Sequence, residues 1–487
     1  MQIRFRWQVY YQISILRYSA APNTLDDSAT TLFPDREFDG NTLTDPNFTK
    51  DELIWAMKDV ASNSAAGPDN FPALLLKNCC HTLVHPFYKI WRVSMDTGIV
   101  PDLGKQANII PIHKGKSRAV PKNYRPVALT SLLMKAFEKV VRKHMVSHFE
   151  HNNHFNNSQH GFRSSRSCLS QLLSHFDKIL KLLEKGKSVD VVYVDFAKAF
   201  DKVDFGITLR KLKEFGVDGK LGRWLYHFLT GRFQTVMVNG SKSNPEPMKS
   251  GVPQGSVLGP LLFLVLISDI DKSIASSFLS SFANDTRIGH CIENDTDKTA
   301  LQADLQKVYE WAATNNMQFN SDKFELLRYK GQNPIPATYA ADDGSPIEEK
   351  TSLRDLGITM SNDASFSIHI NEKAVAMRSK VAWVLRTFKT RKQIPMLTLW
   401  KSMVLSLHDF CVQLWCPFKK GDIQMLELIQ RSFVRKISGM YRLSYWEQLA
   451  ALSFILWSVS VSGILPSTCG KSLKGKSQTS MKKIKME

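Results

Sequence analysis

Ser188-Val-Asp-Val-Val-Tyr-Val-Asp-Phe-Ala-Lys-Ala-Phe-Asp-Lys-Val-Asp204 is the stretch whose reading decides the fold. Val189, Val191, Val192, Tyr193 and Val194 are β-branched or aromatic, the composition of a strand covered on both faces. Asp195 stops that run on a charge, and Phe196 to Asp201 then turns toward a helix. Taken alone, such a carboxylate serves equally as a helix cap. A second apolar segment, Phe278 to Ile292, also carries an acid, Asp285. Two carboxylates brought together at strand ends suit a pair of divalent metal ions.

Charge points the same way. Among 487 residues, Lys+Arg number 64 against 45 Asp+Glu, a net charge of +19. A polyanion is the partner such a balance implies, nucleic acid first among them. The length suits about two to four structural units. Seven cysteines include no CxxC pair and no histidine at finger spacing, so neither a zinc site nor a disulfide framework is expected. Met1 to Arg17 lacks the apolar centre of a secretion signal. The apolar run Ala450 to Leu465 is interrupted by serines and is short for a membrane span, which needs roughly 20 residues. The expectation is a protein that neither is secreted nor crosses a membrane.

Outward from the central strand, residues 20 to 48 are polar and turn-rich and read as a linker. Thr49 is placed to cap a helix bearing Leu53, Ile54, Met57 and Val60. Leu74 to Met95 reads as one largely buried helix, and Ala107 to Lys114 as a strand entering the basic segment Lys114 to Lys122. Ser131 caps a helix with Leu133, Phe137, Val140, Val141, Met145 and Phe149 on one face. Gly161-Phe162-Arg163 opens a second basic patch before the helix Leu169 to Lys185. Two further helical faces end at Gly216 and Gly231. The loop Lys249 to Ser256 feeds a nearly all-apolar segment, Val257 to Ile267, whose first amides are placed to face a phosphate.

The order of these blocks resembles the reverse transcriptase of non-LTR, LINE-like retrotransposons, and within them the jockey-type group. The residues that carry the resemblance are NSAAGPDNFP (63 to 72), IIPIHKGK with NYRPVALTS (109 to 131), QHGFRSSRSC (159 to 168) and VDFAKAFDKV (194 to 203). They continue with SGVPQGSVLGPLLFLVLISDI (250 to 270), FANDT (282 to 286), NMQFNSDKFELL (316 to 327) and LRDLGI (353 to 358). Roughly 50 to 450 is covered, in the family's order.

The resemblance implies an α+β right-hand polymerase: fingers over 49–187, a palm with an antiparallel sheet over 188–360, a helical thumb and connection over 361–452. It implies an RNA template, a DNA primer, dNTPs and two Mg²⁺ ions, in the nucleus or cytoplasm. Mapped onto this chain, Asp195 and Asp285 are the metal-binding carboxylates, and Phe200 is the bulky gate that excludes a ribose 2′-OH. Gln254 is the loop residue beside nucleotide and template. Lys114, Arg125 and Lys323 are cations near the triphosphate, and Leu356-Gly357 is the hairpin that grips the primer end. Two Mg²⁺ about 3.5 to 4 Å apart would activate the primer hydroxyl and neutralise the leaving pyrophosphate.

One departure stands out. The family's catalytic hairpin reads Phe-Ala-Asp-Asp, and here it reads Phe282-Ala283-Asn284-Asp285. Asn284 offers a neutral oxygen where a carboxylate is expected, so a loss of activity of about a thousandfold or more follows. Asn-Asp also makes a comfortable hairpin turn, so the fold survives the change. The alternative is a decayed or host-reused copy that binds nucleic acid without polymerising. A basic DNA-binding protein of another fold is disfavoured, because no helix-turn-helix or finger spacing appears.

At the ends, the resemblance leads one to expect an endonuclease domain ahead of the polymerase, for which the stretch before residue 50 is too short. Residues 453–487 form a divergent basic tail. Codon alternatives read one base back restore family-like residues there, so the chain from about 454 onward is expected to be out of frame.

Overall fold

Thr49 starts the first long helix, α1 (Lys50–Lys58), in the computed structural model, with a complete capping box. Its hydroxyl accepts from the Glu52 amide at 3.2 Å, and Glu52 accepts in return from the Thr49 amide at 3.1 Å. The structure describes residues 27–34, 42–115, 117–120, 123–332 and 334–452; the expected out-of-frame tail lies outside them. Two compact units emerge. The first takes the described residues up to Ser167, then Gly186–Leu326 and Gly331–Glu349; the second takes Cys168–Lys185, Leu327–Lys330 and the described residues from Lys350 on.

In the first unit, α1 buries Leu53, Ala56 and Met57. The expected continuous helix over Leu74–Met95 is broken: Cys79 leaves helical torsions (φ −105°, ψ 15°), separating Ala73–Asn78 from α2 (Cys80–Thr97). Ser131 caps α3 (Leu132–His151), accepting from the Met134 amide at 3.2 Å. Phe137 of α3 is the centre of the packing. It stacks on Trp91 (4.6 Å between centroids, 3° between planes) and meets Phe48 and Trp224 edge-on at 5.0 and 5.4 Å. Part of the stretch expected as linker joins this core. Asp27–Leu32 is helical, and Phe33 is wholly buried so close to Gly222 that a Cβ there would lie 2.2 Å from its ring.

Strands β1 (Gln106–His113) and β2 (Tyr124–Thr130) form an antiparallel ribbon from Ala107↔Thr130 to His113↔Tyr124. The predicted strand β3 (Ser188–Asp195) is buried along its length except at Tyr193 and Asp195, which are half-buried. After α4 (Cys168–Leu183) and β3, helices α5 (Phe205–Glu214) and α6 (Gly219–Leu229) follow, then β4 (Phe233–Val238), which pairs parallel with β1. Helix α7 (Gly259–Leu266) is apolar all round, and Leu261 to Leu266 are all buried, as an unpatterned apolar helix requires. Strands β5 (Phe278–Phe282) and β6 (Asp285–Ile292) make a hairpin whose second strand lies antiparallel to β3. Helix α8 (Asp295–Thr314) comes next.

The second unit has its own core. A tight hairpin, β7 (Ser352–Asp355) and β8 (Ile358–Ser361), turns at Leu356 and Gly357, both at positive φ (44° and 87°). Helix α9 (Ser367–Thr387) contributes His369 against Trp415 (5.2 Å), and Phe433 of α10 (Lys420–Val434) packs on Trp400 (4.8 Å). The His369 Nδ1 accepts from the Thr359 amide at 3.1 Å. Burial first, then the nearby Lys373 and Arg354 charges, hold that imidazole down to about 4. The helix Cys168–Leu183 belongs here too, with Phe176 beside Phe366 at 5.1 Å. Among the described residues no helix is long and apolar enough to cross a membrane.

Candidate active site

The antiparallel register of β3 with β6 sets Asp195 directly opposite Asp285. Between β5 and β6 the chain turns at Ala283, whose φ is +54°, and Asn284. The Asn284 Nδ2 donates to Oδ1 of Asp195 at 3.0 Å and to Oδ1 of Asp285 at 3.3 Å. The Lys323 ammonium pairs with the other Asp195 oxygen. Lys323 arrives there because the segment before it is docked on the end of β3. The Ala197 amide donates to the Gln318 carbonyl (2.7 Å), the Asn320 amide to the Asp195 carbonyl (2.9 Å), and Phe319 stacks on Phe196 at 4.6 Å. Asp195, Asn284, Asp285 and Lys323, separate in the chain, thus form one cluster.

The Gly- and Pro-rich loop is tied into the turn that follows β3. The Gly251 amide donates to the Val203 carbonyl and the Val252 amide to the Phe200 carbonyl, each at 2.9 Å. The Gln254 side-chain amide donates to Oδ1 of Asp201 at 2.8 Å, and its backbone carbonyl accepts from Ala128 of β2 at 2.8 Å. Gly255, at φ +140°, has no room for a side chain: a Cβ would lie 2.4 Å from the Ala128 oxygen. Phe200 is half-buried, its ring tilted against Phe263 of α7 at 4.8 Å. Lys114 and Arg125 are exposed on the β1–β2 ribbon. Leu356 and Gly357 sit in the second unit, at the β7–β8 turn.

Two residues that the sequence did not single out organise this region. Glu138 of α3, only 1 % exposed, accepts from the Val257 and Leu258 amides at 2.7 and 3.0 Å. It occupies the amides expected to face a phosphate, so a protein carboxylate takes that place. Burial pushes the Glu138 carboxyl up, while the charge of buried Arg232 opposes it; burial likewise lowers Arg232 to about 10. A glutamate inside an apolar helical face was the available signal. The second is Gln159, whose Oε1 accepts from the Ala283 amide (2.8 Å) and the Gly161 amide (2.7 Å) while Nε2 donates to the Ala283 carbonyl (3.1 Å). The backbone around it covers the edge of β5: the Ser281 amide donates to Ser158 and the His160 amide to Ser281, at 2.9 and 3.0 Å.

The ligating atoms at the cluster are the oxygens of two carboxylates in register, which suit a hard divalent cation, while Asn284 turns its Nδ2 toward both of them. The cluster carries one negative charge fewer than a site with three aspartates. No group of three or more His, Cys, Asp or Glu residues placed to hold a metal occurs among the described residues.

Residues 112–360 match the family described as reverse transcriptase (RNA-dependent DNA polymerase). The chain is 26 % identical over 389 residues to the probable RNA-directed DNA polymerase from transposon X-element of Drosophila melanogaster, covering 78 % of this chain and 42 % of that protein. It is 27 % identical over 362 residues to the RNA-directed DNA polymerase from mobile element jockey of the same species, covering 72 % of this chain and 39 % of that protein. Against the probable polymerase from transposon BS, also of Drosophila melanogaster, the figures are 25 % over 405 residues, 80 % and 44 %. The chain therefore spans about two fifths of the length of the curated relatives it matches.

Proposed function

The chain belongs to the reverse transcriptase (RNA-dependent DNA polymerase) family, and from that premise we propose that it is the polymerase portion of a jockey-type non-LTR retrotransposon protein, weakened by Asn284. Its reaction is extension of a DNA primer on an RNA template with dNTPs. The observation that carries this reading is the register pair Asp195↔Asp285 at adjoining strand ends, with Lys323 on Asp195.

In this reading 49–187 are fingers, 188–360 the palm and 361–452 the thumb and connection. Asp195 and Asp285 would hold divalent cations, two Mg²⁺, which would lower the pKa of the primer hydroxyl and offset the charge of the leaving pyrophosphate. Lys114, Arg125 and Lys323 stabilise charge on the triphosphate. Phe200, backed by Phe263, blocks a ribose 2′-OH. Gln254, whose side-chain amide donates to Asp201, is the loop residue beside nucleotide and template. Leu356 and Gly357 bend the hairpin that grips the primer end. Template and primer phosphates supply most of the affinity, which a net charge of +19 favours.

One observation favours a second reading, a copy that binds template without extending it: the Asn284 amide donates to both carboxylates, filling with protons the place where a third carboxylate would face a metal. Primer extension on an RNA template, with and without Mg²⁺, separates the two. Incorporation supports the first reading; salt-sensitive template binding without extension supports the second; neither binding nor extension removes both.

A further inference from the structure

Phe162 is an aromatic side chain held in a conformation that its own packing does not repay. Its φ is +58°, a left-handed backbone that a bulky residue adopts at a cost of about 1–3 kcal/mol. The residue is nonetheless 41 % exposed. The backbone on both sides of it is tied down. Gly161 lies against the catalytic turn so tightly that a Cβ would sit 2.3 Å from the Ala283 nitrogen, and Gln159 ties the Gly161 and Ala283 amides together. On the other side, Nη2 of Arg142 donates to the Phe162 carbonyl at 3.1 Å. The ring thus stands edge-on to Phe200, 6.0 Å between centroids and 82° between planes.

The neighbouring cations complete the picture. Arg142 bonds to the Phe162 carbonyl, and Arg166 to the Asn157 side-chain oxygen (3.2 Å) and the His160 ring (2.9 Å), all neutral oxygens or a ring nitrogen. Among the described residues neither guanidinium is paired with a carboxylate, so both charges can serve an anionic ligand. An exposed aromatic side chain with one arginine on its own backbone carbonyl and another four residues on is a combination that single-stranded nucleic acid can use, base on ring and phosphates on cations.

We propose that Phe162 is a stacking platform for an unpaired base of a single-stranded nucleic acid, anchored to the catalytic turn through Gln159 and Gly161. This rests on the polymerase reading for the nature of the ligand, and not on the chain being catalytically active. The coupling gives the platform a purpose: a base stacked on Phe162 bears on Gly161, whose amide shares the Gln159 oxygen with Ala283, the residue before Asn284.

The test is equilibrium binding of a single-stranded RNA of about 12 nucleotides carrying one 2-aminopurine, whose fluorescence is quenched on stacking. Phe162→Ala should weaken binding roughly 5- to 100-fold and abolish the quench contributed by the protein, while the salt dependence keeps its slope. Phe162→Trp should retain both, and Phe162→Leu, with apolar bulk but no π face, should behave like the alanine variant. Wild-type binding with unchanged affinity and quench in Phe162→Leu overturns the platform alone. No binding by the wild-type chain overturns the nucleic-acid reading with it. Should Phe162→Ala fail to fold, the Trp and Leu pair decides.

Discussion

The amide nitrogen of Asn284 donates to Oδ1 of Asp195 across 3.0 Å, bonding a turn residue to a strand-end carboxylate 89 positions earlier in the chain. A carboxylate at 284 would repel Asp195 and Asp285 where the amide now bridges them. Asn284→Asp should therefore lower the melting temperature without divalent ions and gain more stability from Mg²⁺ than the wild-type chain. Primer extension should rise by about a thousandfold or more. Equal extension by the two proteins would show that position 284 is not what limits the chemistry.

Asp195→Ala should remove any residual nucleotide incorporation while circular dichroism stays native, because the strand is held by Val189, Val191, Val192 and Val194, all buried. Incorporation at the wild-type rate would displace Asp195 from the site. The same variant frees Lys323 from its ion pair, and its template affinity should rise slightly at low salt.

Glu138→Ala should destabilise the first unit by about 3–5 kcal/mol, since it leaves the half-buried Val257 amide and the buried Leu258 amide without an acceptor and Arg232 without its neighbouring charge. Glu138→Gln, which keeps an acceptor, should cost less. Denaturant titration of the three proteins checks the order; equal midpoints would mean water replaces the carboxylate.

His369 is neutral in the folded second unit, its pKa held at about 4 by burial and by Lys373 and Arg354. The unfolded chain takes up this proton at a higher pH, near 6.5, so it binds more protons than the folded chain between those values. The contribution of His369 to stability is whole above the upper value and is lost as pH falls toward about 4. Thermal melts between those limits should drop less steeply for His369→Gln; parallel curves would contradict the assignment.

Much of the architecture was legible in residue order. β-branched runs marked β3, Thr49 and Ser131 marked helix starts, and the block order pointed to the polymerase family. The break at Cys79 was not legible, because the apolar pattern of 74–95 continues through it. Phe33 was also hidden, an isolated aromatic in a polar stretch whose cover, Gly222, lies far along the chain.

At the site the division is sharper. The acids at 195 and 285 and the amide at 284 were readable by type, since residue identity states which groups can carry charge. Their meeting depends on the β3–β6 register, and a slip of one residue would have turned one acid to the other face. Only the tertiary structure decided that Asn284 donates to both acids, that Gln159 grips the Ala283 backbone and that Glu138 occupies the amides before α7. These are hydrogen bonds between segments distant in sequence. Their direction and length follow from how whole elements pack, a property that no local pattern of residues carries.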